Sequence, residues 1–426
     1  MQIEELYKIY QQYPSVQTDT RKLKTSDIFF ALKGANFNGN SFAKQAIDSG
    51  AAYAVIDEKE FEIPGKTILV ENVLATLQSL AKYHRQQFTI PFLGITGSNG
   101  KTTTKELIHA VLFSTYKTYT TEGNLNNHIG IPLTLLKIKP DAELAVIEMG
   151  ANHIGEIASY CKIALPTHGI ITNCGKAHLE GFGSEEGVRK GKGELYDHLR
   201  ANNGTAFVMW DYDYLHEMSK GIPQIITYGT HNAVIEGTLV ESEPFLKVKF
   251  QKGIALTTLQ TQLVGDYNLP NVLAAATVGK YFKVPDANIK TAIENYVPSN
   301  NRSQWIEKGS NKIVLDAYNA NPSSMMQAID NFAKLHAPNK RLILGAMAEL
   351  GEQSLQEHQM IMEQIRKYQW TDVILVGGDF EKLSAPYHWF KDSTKAGKWF
   401  QQQHFQNSTI LIKGSRSMQM EKVAEE

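Results

Sequence analysis

The sequence predicts an α/β protein of about three domains, with a doubly wound parallel sheet at its centre. Three observations point there. The chain has 426 residues, against about 150 for an average domain. Short apolar runs that read almost without interruption, as strands buried on both faces of a parallel sheet do, alternate with segments of helical spacing. One of those strands runs into a helix through a glycine-rich turn. The 42% hydrophobic and 20% charged content is that of a globular chain and argues against extensive disorder or a fibrous repeat.

Residues 1–87 form the first predicted unit. The runs IFFAL at 28–32 and AAYAVI at 51–56 read as strands, and FAKQAIDSG between them as a short helix ending at Gly50. The apolar-poor stretch YHRQQFTIP marks a boundary. Residues 88–300 follow as a central unit, whose runs PFLGI, LAVIEM, GIIT and AFVMW supply buried parallel strands. The turn-rich PSNN at 298–301 breaks this pattern, and KIVLD, RLILG, DVILVGG and TILIKG give four strands for a third unit at 301–426.

Charge and cysteine content exclude several functions. Forty-three Lys and Arg against forty-four Asp and Glu leave a formal charge of -1, so there is no global basic field for nucleic acid or an anionic membrane. Any bound anion must be held locally. Cys161 and Cys174 are too few for a disulfide framework and lack zinc-binding spacing, which fits a reducing compartment. The start MQIEELYKIYQQYPSVQ is no signal peptide, and no window approaches the run of about 20 apolar residues that spans a bilayer. A cytoplasmic protein without membrane insertion is expected.

The segment FLGITGSNGKTTTKELIHAVL at 92–112 carries the clearest chemistry. A strand, a turn containing Gly97 and Gly100, Lys101, three threonines and a helix make a phosphate-binding loop. The glycines let backbone N–H groups converge on phosphate oxygens, the helix presents its positive end, and Lys101 reaches the β and γ phosphates. Thr102 would then ligate Mg²⁺. The common GxxxxGK[ST] spacing is not kept; TGxxGKT is what survives. Glu148 ends the run AVIE, at the sheet edge where ligands of open α/β folds collect, and reads either as a Mg²⁺ ligand or as a solvent-facing strand end. His178 follows strand GIIT in the glycine-flanked loop TNCGKAHLEGFGS. In RKGKGELYDHL, composition alone makes Lys190 and Lys192 two solvated lysines at a helix start. Asn268 and Asn271 open an Ala-rich helix either as caps or, for Asn271, as an amide facing an adenine.

These segments, with GNLNNHIGIPLTLL, AVIEMGANHIGEI, GDYNLPNVLAAA, DAYNANPSSM, GAMAELG and IKGSR, occur in the order found in Mur ligases, which the chain resembles from Thr18 to Arg416. The resemblance implies a three-domain architecture with a Rossmann-like C-terminal domain, and an ATP-dependent ligase that builds the peptide of the bacterial cell wall through an acyl phosphate. AHLEGFGS and YNANPSSM are similar to the members that add the terminal dipeptide. The implied substrates are therefore UDP-N-acetylmuramoyl-tripeptide and D-alanyl-D-alanine, with ATP and two Mg²⁺ ions, acting on a monomer. Gly97, Ser98, Asn99, Gly100, Lys101, Thr102 and Thr103 would hold phosphates. Thr102 and Glu148 would hold one Mg²⁺, and His178 with Lys192 the second, because Lys192 matches a lysine that the family carries as a carbamate. Asn271 corresponds to an adenine-reading residue, and Arg302 and Asp316 to residues of the third domain that close over the nucleotide. Asp19, Thr20 and Arg21 fall in the uridine-binding signature, and Asn124, Asn126 and Asn127 match a polar loop near sugar and peptide. Ala317 replaces an acid that the family often has. Two alternatives are a Mur-type ligase that adds the third residue, and a nucleotide-binding protein without chemistry; against the latter, the guanine-reading NKxD pattern is absent.

Overall fold

The computed structural model describes residues 2–425 and is built on three main sheets. The first has four parallel strands in the order Val16–Gln17, Ile28–Phe30, Tyr53–Ile56 and Thr67–Leu69. Helix Ala43–Asp48 covers it and stops as expected at Gly50, whose φ of +99° suits a residue without Cβ.

The central sheet has nine strands. From one edge they run Thr258–Gln260, Lys247–Lys252, Ile235–Glu241, Gln224–Gly229, Thr205–Met209, His168–Ile171, Phe92–Thr96, Leu144–Glu148 and Thr118–Thr120. The strands from Ile235–Glu241 to Thr118–Thr120 are parallel, and the first two, Thr258–Gln260 and Lys247–Lys252, pair antiparallel. That antiparallel extension is absent from the sequence reading because its strands, such as KVKFQK, alternate polar and apolar residues and never form a continuous apolar run. Strand Phe92–Thr96 lies between Leu144–Glu148 and His168–Ile171, with Ile95 level with Glu148 and Thr96 level with Ile171. Three loops therefore leave the same sheet edge side by side, at a switch point of the strand order.

The third sheet has six strands, ordered Gln304–Lys308, Asn311–Asp316, Thr409–Lys413, Lys340–Gly345, Asp372–Val376 and His388–Phe390; only the first pairs antiparallel.

Helix Val73–Arg85 was not anticipated. Asn72 caps it by accepting from Ala75 N, and its last turn includes the YHR of the expected boundary. Arg85 is buried there, donating to the carbonyls of Ala164 and Leu165 at 2.9 Å each, with its guanidinium 3.6 Å above the centre of the Phe92 ring. Burial lowers its pKa to about 10. One apolar cluster consequently joins Leu6, Tyr10, Phe30 and Leu77 to Phe92, Val146 and Phe207, whereas the third sheet has separate clusters around Leu342 and Ile343 on its two faces. No helix among the described residues is long and apolar enough to cross a membrane.

Candidate functional site

The glycine-rich turn ends at Gly100, with φ +77°, where helix Lys101–Phe113 begins. A Cβ at Gly100 would come 2.7 Å from Asn271 Oδ1, and one at Gly97 2.0 Å from Thr172 Oγ1, so both positions need glycine for space as well as for backbone shape. Lys101 curls back over the turn and donates from Nζ to the carbonyls of Gly97 at 2.6 Å and Ser98 at 3.2 Å. Its pKa is lowered by burial, while the Glu148 carboxylate opposes the shift.

Glu148 does not face solvent; it is 1% exposed. Its Oε1 accepts from Asn126 Nδ2 at 2.8 Å, and its buried Oε2 has no hydrogen-bond partner among the described residues. A buried carboxylate oxygen left over in this way fits a cation ligand. Thr102, buried at the helix start, stands in the same cavity.

That cavity, of about 530 Å³, is lined by most of the residues singled out from the sequence. Ser98 to Thr103, Asn124, Asn126, Asn127, Glu148, His178, Asn271, Arg302 and Asp316 all face it. Gly97 and Lys192 do not line it, and Asp19, Thr20 and Arg21 lie outside it, on the first unit. There the Asp19 carboxylate accepts from Arg21 N, Nε and a terminal guanidinium nitrogen, which holds its pKa down at about 2.

Lys192 lies in mid-helix, not at a helix start. Helix Glu185–Ala201 turns Val188, Lys192, Leu195, Tyr196 and Leu199 inward, and Lys192 is 0% exposed, whereas Lys190 is exposed. Lys192 Nζ donates to Ala151 O at 3.0 Å, behind a residue that lines the cavity. Burial, reinforced by the Lys101 charge, lowers its pKa to about 7. Spacing alone could have found it, because Lys192 falls four residues after Val188 and three before Leu195.

Neither asparagine of the Ala-rich helix makes a side-chain cap. Asn268 Nδ2 donates to Val264 O; Asn271 Oδ1 accepts from Thr104 Oγ1 and its Nδ2 donates to Asn268 Oδ1, all at 2.9 Å. Asn271 is thus fixed in orientation at the cavity wall beside the phosphate loop. Arg302 stacks 3.6 Å above the Tyr318 ring centre, and its buried Nε has no partner among the described residues. Asp316 accepts from Ser303 N at 3.2 Å and from Lys413 Nζ at 2.5 Å. Cys161 and Cys174 are buried.

Sequence reasoning missed Glu349. Its Oε2 sits 2.6 Å from His178 Nδ1, out of line for a good hydrogen bond, and the ring beside it holds the Glu349 carboxyl below the usual range. Among the described residues no three His, Cys, Asp or Glu side chains cluster as a ready-made metal centre. The site therefore combines a glycine-rich turn at a helix N-terminus, one spare carboxylate oxygen and a set of cations, with the buried amine of Lys192 bonded behind its wall.

Three family profiles match this chain: the Mur ligase family catalytic domain over residues 12–85, the Mur ligase middle domain over 95–279, and the Mur ligase glutamate ligase domain over 301–416. The chain is 35% identical over 425 residues to the UDP-N-acetylmuramoyl-tripeptide--D-alanyl-D-alanine ligase of Bacillus subtilis strain 168, covering 96% of this chain and 92% of that one. Among solved structures it is similar to MurF from Acinetobacter baumannii, at a TM-score of 0.88 and 29% identity over 96% of this chain and 92% of that one. It is also similar to the MurF ligase of Thermotoga maritima in complex with ADP, at a TM-score of 0.85 and 27% identity over 96% of each chain.

Proposed function

The chain belongs to the Mur ligase family, and on that premise we infer that it is an ATP-dependent ligase joining D-alanyl-D-alanine to UDP-N-acetylmuramoyl-tripeptide in peptidoglycan synthesis. The observation that carries the reading is the phosphate loop set beside a buried carboxylate with one oxygen free, inside a cavity that the third unit closes. Addition of a third residue and binding without chemistry, the two alternatives, draw no support from these relatives.

In the reaction, an oxygen of the tripeptide's terminal carboxylate attacks the γ-phosphorus of ATP and ADP leaves, giving an acyl phosphate. The dipeptide amine then attacks the acyl carbon, loses its proton, and phosphate departs. Two anions must approach in the first step, so cationic groups are needed where charge concentrates. The N-terminal end of helix Lys101–Phe113 and Lys101 supply part of that field, with Arg302 entering from the third unit. Thr102 and the free oxygen of Glu148 would hold one Mg²⁺, and His178 with a carbamate on Lys192 a second; bound Mg²⁺ would neutralise phosphate charge. A near-neutral buried amine is the form that captures CO₂, which supports that role for Lys192. Asn271 faces the adenine in this reading, and Asp19, Thr20 and Arg21 hold the uridine end. Asn124 and Asn127 face sugar and peptide, whereas Asn126, bound to Glu148, orients that carboxylate. In this reading the units divide the work at residues 1–87, 88–300 and 301–426, in a monomer working in the cytoplasm.

A phosphate-release assay crossing UDP-linked tripeptides ending in lysine or a diamino acid with D-alanyl-D-alanine, lysine and glutamate tests this. Release is expected with D-alanyl-D-alanine alone among the amines. Release with a single amino acid and not with the dipeptide would overturn it.

A further inference from the structure

The phosphate loop does not stand alone. Ser98 N donates to Asn173 O at 2.9 Å, Asn99 N to Asn173 Oδ1 at 3.0 Å, and Ser98 Oγ to Gly175 O at 2.9 Å. Thr172 Oγ1 and Asn173 Nδ2 return bonds to Asn99 O. The turn at 97–100 and the loop at 172–176 are therefore one hydrogen-bonded body, and His178 hangs from its end.

The third unit grips that body at three points. Asn321, which caps helix Pro322–Lys334, donates from Nδ2 to Asn99 Oδ1 at 2.8 Å. Lys176 N donates to Ser323 Oγ at 3.0 Å. Lys176 Nζ meets Glu357 Oε1 at 2.8 Å. Glu357 is 3% exposed, and its Oε2 has no partner among the described residues. A carboxylate this deeply buried and half satisfied is tolerated only because Lys176 faces it; when the units part, both groups regain water. Such a pair adds little net stability, which is what a reversible contact requires.

From this the geometry points to Lys176 as a positioning residue: by compensating the buried Glu357 carboxylate it lets the third unit seat on the paired loops, so that the phosphate loop and His178 reach working geometry only when that unit is docked. The inference rests on the ligase reading above and adds to it the contact that couples docking to the site.

The test compares Lys176→Met, Glu357→Gln and the double variant, each checked for folding by circular dichroism. Lys176→Met keeps the aliphatic stem but leaves the Glu357 carboxylate unpaired whenever the units dock. The kcat for phosphate release should fall about tenfold or more, because the docked population shrinks. ADP affinity should fall by no more than the same factor, since Arg302 and Asp316 reach the nucleotide only in the docked state while the loop itself is unaltered. Adding Glu357→Gln removes the stranded charge, and the double variant should recover most of the lost rate. Wild-type turnover in Lys176→Met, or a double variant as slow as Lys176→Met, would overturn the proposal. Should the wild-type chain release no phosphate with its proposed substrates, the functional reading fails instead. X-ray scattering of the ADP complexes then decides about the contact: a larger radius of gyration in Lys176→Met, restored in the double variant, supports it, and three equal radii refute it.

Discussion

Replacing Lys192 by Met should make the protein more stable and inactive at once. The amine is 0% exposed, and burial lowers its pKa from the ordinary 10.5 to about 7. An unfolded chain binds a proton on this lysine up to pH 10.5, whereas the folded chain releases it near pH 7. Between those values the unfolded state holds more protons, so stability rises with pH through this group and is lowest below pH 7. At pH 7, with the folded amine half protonated, a shift of this size destabilises the fold by about 4 kcal/mol at 1.36 kcal/mol per pKa unit. Met avoids that cost but loses the bond to Ala151 O, worth about 1 kcal/mol. The net gain is about 3 kcal/mol, or roughly 6–12 °C in the transition of a domain of this size. At pH 9.5 the desolvation cost falls to about 1 kcal/mol and the gain should vanish. Calorimetric melts of both proteins at the two pH values, in CO₂-free buffer, measure this directly. Added bicarbonate should narrow the gap at pH 7 by stabilising only the lysine protein, since only its neutral amine can form a carbamate. A Met variant less stable than wild type at pH 7, or a gap that ignores pH, would refute the reasoning.

Lys101→Ala should leave the fold intact and reduce phosphate release by on the order of 10²-fold or more, the usual loss for a charge contact made in the transition state; near-normal turnover would remove the phosphate-loop assignment. Gly100→Ala forces a Cβ to within 2.7 Å of Asn271 Oδ1 at a φ of +77°, so ATP affinity measured by calorimetry should fall, with about 1–2 kcal/mol attributable to the backbone conformation alone. Deleting residues 1–87 should give an insoluble fragment, because Leu77, Leu80 and Ala81 belong to the central core. A chain beginning at Asn72 keeps that helix and should bind ATP but not the UDP-linked peptide; equally tight peptide binding would count against uridine recognition by Asp19, Thr20 and Arg21.

The parts of the site that were legible in the sequence are those that local chemistry dictates. A phosphate loop needs glycines, a lysine and a helix start in immediate succession, and a buried parallel strand needs an unbroken apolar run, so Gly97 to Thr103 and AVIE could be read directly. What escaped depends on partners far along the chain. The segment YHRQQ looked like a boundary because its polar groups are satisfied by Ile138, Ala164 and Leu165, which only the fold brings near. Glu349 approaches His178 across two units, and nothing in its own neighbourhood announces it. Asn126 could be placed in a polar loop, but the carboxylate it orients lies 22 residues away on another element. Lys192 is the intermediate case: the register of Val188, Leu195 and Leu199 already placed it on the inner face, and composition argued the other way.

The apolar cluster that begins at Leu6 and continues through Phe92 to Phe207 sets a timetable for synthesis. A ribosome that has released residues up to about 300 has already delivered everything that cluster contains, so the first two units can fold while the rest is still being translated. The nascent chain at that stage carries the phosphate loop, Glu148 and His178, but neither Arg302, Asp316 nor Asn321. It lacks the residues of the third unit that line the same cavity. The final sheet, with its own core, brings Arg302 and Asp316 to the cavity wall, so the enclosure of the site is completed by the last part of the chain to be made.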